Sequence, residues 1–104
     1  MRRVIVRYRV KPDRGEENEK LVRAVYEELH ETKPEGLRYA TLRLDDGVSF
    51  VHLSESVSDT SELTEIPSFK AFQKELADRT DEPPVVTEVQ VVGSYGFGYS
   101  DDQR

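Results

Sequence analysis

In the first third of the chain, the spacing of apolar residues changes from every second residue to the spacing of a helix. In VIVRYRV, residues 4–10, apolar side chains alternate mostly with arginines, which predicts a strand with one apolar face. The polar stretch KPDRGEE interrupts this alternation. Apolar residues then recur at helical spacing from Leu21 to Leu29, with glutamate and lysine between them. The pattern predicts a helix that ends near Thr32, just before a proline and a glycine.

Residues 37–54 are predicted to form two strands joined at Asp46 and Gly47, a dipeptide suited to a two-residue type I′ turn. Such a turn places Thr41 opposite His52, and opposed residues share a face of the sheet. One face then carries Ala40, Leu42, Leu44, Val51 and Leu53. The other face carries Tyr39, Thr41, Arg43, Phe50, His52 and Ser54. The more apolar first face is expected to form the core, and the second face is expected to lie away from the helices.

The last part of the chain predicts a second helix and a fourth strand. In IPSFKAFQKELADR, residues 66–79, apolar side chains follow helical spacing, and Pro67 suits the first turn of a helix. DEPP is expected to end this helix, after which VVTEVQVV, residues 85–92, returns to strand alternation. Residues 1–95 are expected to form one domain, and residues 96–104 a flexible C-terminal tail.

The order strand, helix, strand, strand, helix, strand predicts an α+β fold of the ferredoxin-like split β-α-β type. In this fold a four-stranded antiparallel sheet carries two helices on one face. The other face would expose aromatic and aliphatic side chains to water. A second copy of the chain covering that face is the expected remedy, so a homodimer is predicted.

Charge and composition narrow the classes of partner. The formal net charge of −6 and the isoelectric point near 4.9 disfavour nucleic acid and anionic membrane surfaces as partners. The chain has no cysteine, and no stretch approaches the length of a membrane span or shows metal-ligand spacing. A cytoplasmic protein without a bound cofactor is therefore expected.

Three segments carry a family resemblance over roughly residues 3–95: VRYRVKP, the hairpin RYATLRLDDGVSFVHLSE, and IPSFKAFQKEL. With them the chain resembles the antibiotic biosynthesis monooxygenase-like proteins of the dimeric α/β-barrel superfamily. The resemblance implies a homodimer whose two sheets face each other around a lumen, with a ligand between the sheet and the second helix. It also implies oxidation of phenols or quinols by molecular oxygen, without metal or flavin. Ser68 stands where many members have a histidine.

A haem-degrading branch of the same superfamily is a weaker match. Its members rely on a tryptophan, which this chain lacks, and on an asparagine in the first strand, where this chain has Val6 and Arg7.

Seven residues are the candidate site. His52 is the candidate base, because a histidine with an ordinary pKa near 6.5 can take a phenolic proton at neutral pH. Tyr39 is the second candidate catalytic residue and would orient the ligand oxygen. The candidate ligand-binding residues are Arg7, Arg43, Phe50, Phe69 and Phe72, which could neutralise or stack on a small planar aromatic ligand.

Each candidate also has a structural interpretation. His52 could simply bond Thr41 across the strands, the arginines could pair with Glu88 or reach solvent, and the phenylalanines could belong to the core. Three hypotheses therefore remain: a cofactor-independent monooxygenase, a ligand-binding or stress-associated dimer without catalysis, and a dimer whose lumen is filled by side chains.

Overall fold

The computed structural model describes residues 2–57 and 62–97. The strands are β1 (Arg2–Val10), β2 (Leu37–Arg43), β3 (Ser49–Ser56) and β4 (Thr80–Glu88). The α-helices are α1 (Gly15–Thr32), α2 (Pro67–Lys74) and α3 (Leu76–Arg79), with a 3-10 helix at Glu62–Glu65. The strands form one antiparallel sheet in the order β2-β3-β1-β4. This order confirms the predicted ferredoxin-like α+β fold. Assembly of two such sheets into a barrel stays a prediction.

Helix α1 begins and ends at special backbone positions. A methyl group on Gly15 would overlap the Gly47 carbonyl oxygen, so the close approach of the helix to the hairpin loop requires glycine. At the other end Lys33 adopts the left-handed conformation (φ 47°), and its N–H bonds the Leu29 carbonyl at 2.8 Å. The helix ends at Thr32, as its sequence predicted.

The hairpin has the predicted register but a different turn. Thr41 lies opposite His52. The loop itself is not the predicted type I′ turn, because Gly47 (φ 78°) has a positive φ and Asp46 does not. Instead, the Asp46 carboxylate accepts hydrogen bonds from the N–H groups of Val48 and Ser49 and closes a longer loop.

The assignment of the two hairpin faces was wrong. Phe50 and His52 are 1% and 4% exposed and lie beneath the helices, whereas Leu42, on the face predicted as core, is 41% exposed. The pairing of β3 with β1 decides this, because Tyr8 lies opposite Phe50 and both rings enter the core. Polarity misled the assignment, because the buried face is the more polar one and hydrogen bonds satisfy its His52. The open face, the side of the sheet away from the helices, carries the aliphatic residues.

The helix side of the sheet holds the core of the described chain. Rings from β1, β3 and α2 pack against valines of α1, and each buried ring is worth roughly 1.5–3 kcal/mol of transfer free energy. The buried apolar residues are Tyr8, Val10, Val22, Val25, Phe50, Leu63, Ile66, Phe69 and Phe72.

Two predictions about the C-terminal half also need correction. The second helix is interrupted at Glu75, giving α2 and α3, although Pro67 does occupy its first turn. The fourth strand is Thr80–Glu88 rather than 85–92, so the DEPP segment lies within it. Prolines are tolerated there because β4 is an edge strand and they fall at a β-bulge.

Two other expectations concern the tail and the membrane. Most of the predicted flexible tail, residues 98–104, lies outside the described residues. Within 2–57 and 62–97, no helix combines the length and the apolar character needed to cross a bilayer.

Candidate functional site

An open groove of about 900 Å³ runs between helix α1 and the edge strand β2 and continues round that strand to Ala40, Leu42 and Leu53 on the sheet face away from the helices. The α1 side contributes Tyr26, and β2 contributes Tyr39, Thr41 and Arg43. Phe50 reaches the floor from β3. A groove of this size can take a small aromatic molecule.

His52 lies behind this wall rather than on it. Its Nδ1 is 2.5 Å from the Tyr39 hydroxyl and 3.2 Å from Thr41 Oγ1. Its Nε2 is 2.8 Å from the Tyr8 hydroxyl. The predicted contact with Thr41 is therefore present, but both nitrogens also face a phenol. His52 reaches the groove through Tyr39, and Thr41 in turn lies 2.8 Å from the Tyr26 hydroxyl.

The polar chain continues into the core on the other side of His52. Asn18 Nδ2 donates to the Tyr8 hydroxyl at 2.8 Å, and Arg79 Nε donates to Asn18 Oδ1 at 3.0 Å. Asn18 and Arg79 are 0% and 1% exposed. We call this run, from Arg79 through Asn18, Tyr8 and His52 to Tyr39, the buried polar chain. Every one of its side chains has a hydrogen-bonding partner, as burial demands.

Sequence reasoning did not identify Tyr8, Asn18 or Arg79 as members of the site. A signal existed for Asn18, since it occupies the same helical stripe as Val22 and Val25, where an apolar residue is expected. The sequence carries no such signal for Arg79, because its partner Asn18 is 61 positions away in the chain.

Burial sets the charge state of the chain. It lowers the pKa of His52 from its ordinary 6.5 to about 4, so the imidazole is neutral at pH 7. Burial also raises the pKa of Tyr8 to about 12, although the hydrogen bond from Asn18 and the charge of Arg79 oppose the rise. The pKa of Tyr39 is raised well above its usual value by burial and by the neighbouring Tyr26 and Tyr8. Both phenols therefore hold their protons at neutral pH.

Aromatic rings enclose His52. The Phe72 ring centroid lies 5.5 Å from that of His52, and Phe69 stands 5.9 Å from Phe72. Both phenylalanines are buried core residues, which matches their structural interpretation, and neither lines the groove. Phe72 keeps water away from His52, which is one source of the lowered pKa of the imidazole.

The two candidate arginines lie on opposite faces of the sheet. Arg7 lies opposite Val51 in the β1–β3 register, so it lies on the sheet face away from the helices. Arg43 lines the groove, where its Nη1 contacts Glu16 at 3.0 Å and Glu19 at 2.7 Å. Its guanidinium also lies 5.7 Å from the Phe50 ring centroid. The sheet therefore separates Arg7 from the part of the groove that Arg43 lines, and the assignment of both as ligand-binding residues stays a prediction.

Comparison with solved structures identifies the fold. A candidate antibiotic biosynthesis monooxygenase of Nitrosomonas europaea superimposes with a TM-score of 0.74 at 22% identity, over 89% of this chain and 100% of its own. The chain has the fold of that protein. A second candidate antibiotic biosynthesis monooxygenase, of Bacteroides thetaiotaomicron, gives 0.74 at 13% identity and covers 95% of each chain. A conserved protein of Methanosarcina mazei gives 0.70 at 22% identity, covering 86% of this chain and 90% of its own.

Sequence comparison adds nothing to this identification. No family model matches the chain, and no curated protein matches it. The solved structures confirm the resemblance seen in the sequence at the level of the fold.

Proposed function

We propose that the protein is a cofactor-independent oxygenase that binds a small planar phenol or quinol in the groove between α1 and β2. One observation carries the proposal: a neutral imidazole is held between two phenols, and one of these, Tyr39, forms part of the groove wall. The fold shared with proteins named as monooxygenases supports it.

The reaction needs an electron-rich substrate, because molecular oxygen reacts with a phenolate or enolate far better than with the neutral phenol. With an anthrone-like substrate, oxygen adds to the ring methylene carbon. One oxygen atom becomes the new carbonyl, and the other leaves as water with both methylene hydrogens. The methylene carbon supplies the electrons that reduce oxygen, so no further reductant is required.

The residues of the groove take distinct roles. Tyr39 contacts the ligand oxygen, and His52 positions the Tyr39 hydroxyl from behind. Phe50, which is 1% exposed, closes the floor of the groove beneath the Arg43 guanidinium. His52 was expected to be the direct base; its place behind Tyr39 supports an indirect role instead.

Oxygen uptake tests the proposal, with 1,8-dihydroxyanthrone as the probe and the protein-free rate subtracted. The wild-type protein is expected to accelerate uptake. Tyr39→Phe should reduce the accelerated rate on the order of a hundredfold, since it removes one positioned donor. Tyr95→Phe is the matched control, because Tyr95 is 99% exposed and does not line the groove.

His52→Gln tests whether the imidazole contributes to the rate. Glutamine keeps a donor and an acceptor but not the imidazole geometry, so the rate should fall while circular dichroism shows an intact fold. Unchanged uptake in both Tyr39→Phe and His52→Gln would refute an oxygenase site at this groove.

A further inference from the structure

The buried polar chain has one fixed end. The guanidinium of Arg79 has donors and no acceptor, and it donates to Asn18 Oδ1 at 3.0 Å and to the Phe72 carbonyl at 3.0 Å. The amide oxygen of Asn18 must therefore face Arg79. Its Nδ2, a donor, then faces the Tyr8 hydroxyl at 2.8 Å.

The next two hydrogens follow from this end. The Tyr8 oxygen accepts from Asn18, so the Tyr8 hydrogen is directed to its other partner, His52 Nε2, at 2.8 Å. A neutral imidazole that accepts at Nε2 carries its hydrogen on Nδ1. Nδ1 then donates to the Tyr39 oxygen at 2.5 Å.

The direction of the chain decides what Tyr39 offers. Because the Tyr39 oxygen accepts from His52, its own hydrogen needs another acceptor. Thr41 is one such neighbour, and a ligand oxygen in the groove, which Tyr39 lines, would be the other. Each link donates towards the groove, and the series begins at a buried cation. Successive hydrogen bonds in such a chain polarise one another, so the Tyr39 hydroxyl at its end is a better donor than an isolated phenol.

The net charge around the groove favours neither a phenolate nor a neutral phenol. Among the described residues that line it, guanidinium and carboxylate groups balance. They are Arg23, Arg38, Arg43, Glu19, Glu27 and Glu55. The net charge of the lining therefore favours neither ionisation state, and a positioned donor can supply the preference.

We propose that the groove selects ligands that present an acceptor oxygen, a phenolate or a ring carbonyl, to the Tyr39 hydroxyl, with Arg79 as the positioning residue that sets the direction of the chain. The inference rests on the groove of the proposed function and names its ligand class. It assigns the substrate proton to another acceptor, such as solvent, because the lone pair of His52 is engaged by Tyr8.

The tautomer of His52 tests the inference without any ligand. Long-range ¹H–¹⁵N correlation spectra of the wild-type protein should show the hydrogen on Nδ1 and a lone pair on Nε2. A hydrogen on Nε2 would reverse the chain and overturn the proposal.

The ionisation of a bound phenol gives the second test. 4-Nitrophenol absorbs visible light as the phenolate and not as the phenol. Binding to the wild-type protein should lower its apparent pKa by about one unit. Tyr39→Phe should abolish this shift, and Arg79→Met should reduce it by at least half. Arg79→Lys, which keeps a charged donor, should restore part of it.

Arg2→Met is the matched control, because Arg2 forms a surface ion pair with Glu88 and should leave the shift unchanged. The proposal is overturned if 4-nitrophenol binds as the neutral phenol, if Tyr39→Phe keeps the shift, or if no saturable binding occurs up to millimolar probe. Tyr39→Phe acts at the groove wall and keeps the test valid if Arg79→Met fails to fold. A lowered probe pKa without any oxygen uptake would uphold the ligand class and refute the oxygenase.

Discussion

Acid should destabilise this protein through His52 more than through an exposed histidine. Burial holds the pKa of His52 at about 4 in the folded chain, against 6.5 in the unfolded chain. Above pH 6.5 both states are neutral and the histidine has no effect on stability. As the pH falls below 6.5, the unfolded chain binds a proton that the folded chain does not, so the free energy of unfolding decreases.

The magnitude follows from the two pKa values. One pKa unit corresponds to about 1.36 kcal/mol, so the fall from 6.5 to about 4 corresponds to a total loss of roughly 3 kcal/mol. At pH 4.5 most of that loss, about 2.5 kcal/mol, should already be present. His52 is 4% exposed, so solvent does little to screen the effect.

Urea unfolding at pH 7.0 and pH 4.5, at one protein concentration, measures this loss. Carboxylates also titrate over the range, so the informative quantity is the difference between wild type and His52→Gln. His52→Gln is less stable at pH 7 but should lose about 2.5 kcal/mol less on acidification. His30→Gln, which replaces the exposed histidine of α1, should behave as wild type does. Equal acid losses in wild type and His52→Gln would refute a neutral, buried imidazole.

In urea unfolding, Gly15→Ala should lower the free energy of unfolding by roughly 1–3 kcal/mol, because its methyl group overlaps the hairpin loop. Gly93→Ala, with open space around it, should change the free energy of unfolding by less than about 0.5 kcal/mol. Equal effects of the two substitutions would contradict the close approach of α1 to the hairpin loop. Tyr8→Phe should cost roughly 2–4 kcal/mol in the same assay because two buried partners lose a hydrogen bond, and an effect as small as that of Tyr95→Phe would argue against the buried polar chain. Native mass spectrometry should show a homodimer at low micromolar concentration that Leu42→Glu, on the open sheet face, converts to monomer; a monomeric wild type would refute the dimer.

The sequence predicted the register of the hairpin correctly, but not which of its two faces is buried. The position of the Asp46-Gly47 turn was enough to place Thr41 opposite His52, although the loop is longer than predicted, because register in a hairpin depends on local geometry. Which face of that hairpin meets the helices depends on how β3 pairs with β1, and Tyr8 opposite Phe50 is a contact between distant parts of the chain. The local pattern pointed to the wrong face, because the buried face is the more polar one and its His52 is satisfied by Tyr8 of another strand.

The same limit explains what was found of the site. Tyr39, His52, Arg43 and Phe50 were predicted together because they share one face of one hairpin. The partner that fixes the direction of their hydrogen bonds, Arg79, comes from the end of α3 and meets the site only through tertiary packing.

The prolines of β4 decide how the sheet can grow. Pro83 and Pro84 lie at the bulge of an edge strand and have no N–H to offer a neighbouring strand. Asp81 and Glu82 add two exposed negative charges directly before them. This part of the β4 edge therefore resists extension of the sheet by another chain, which protects a strand with exposed valines from fibril-like stacking.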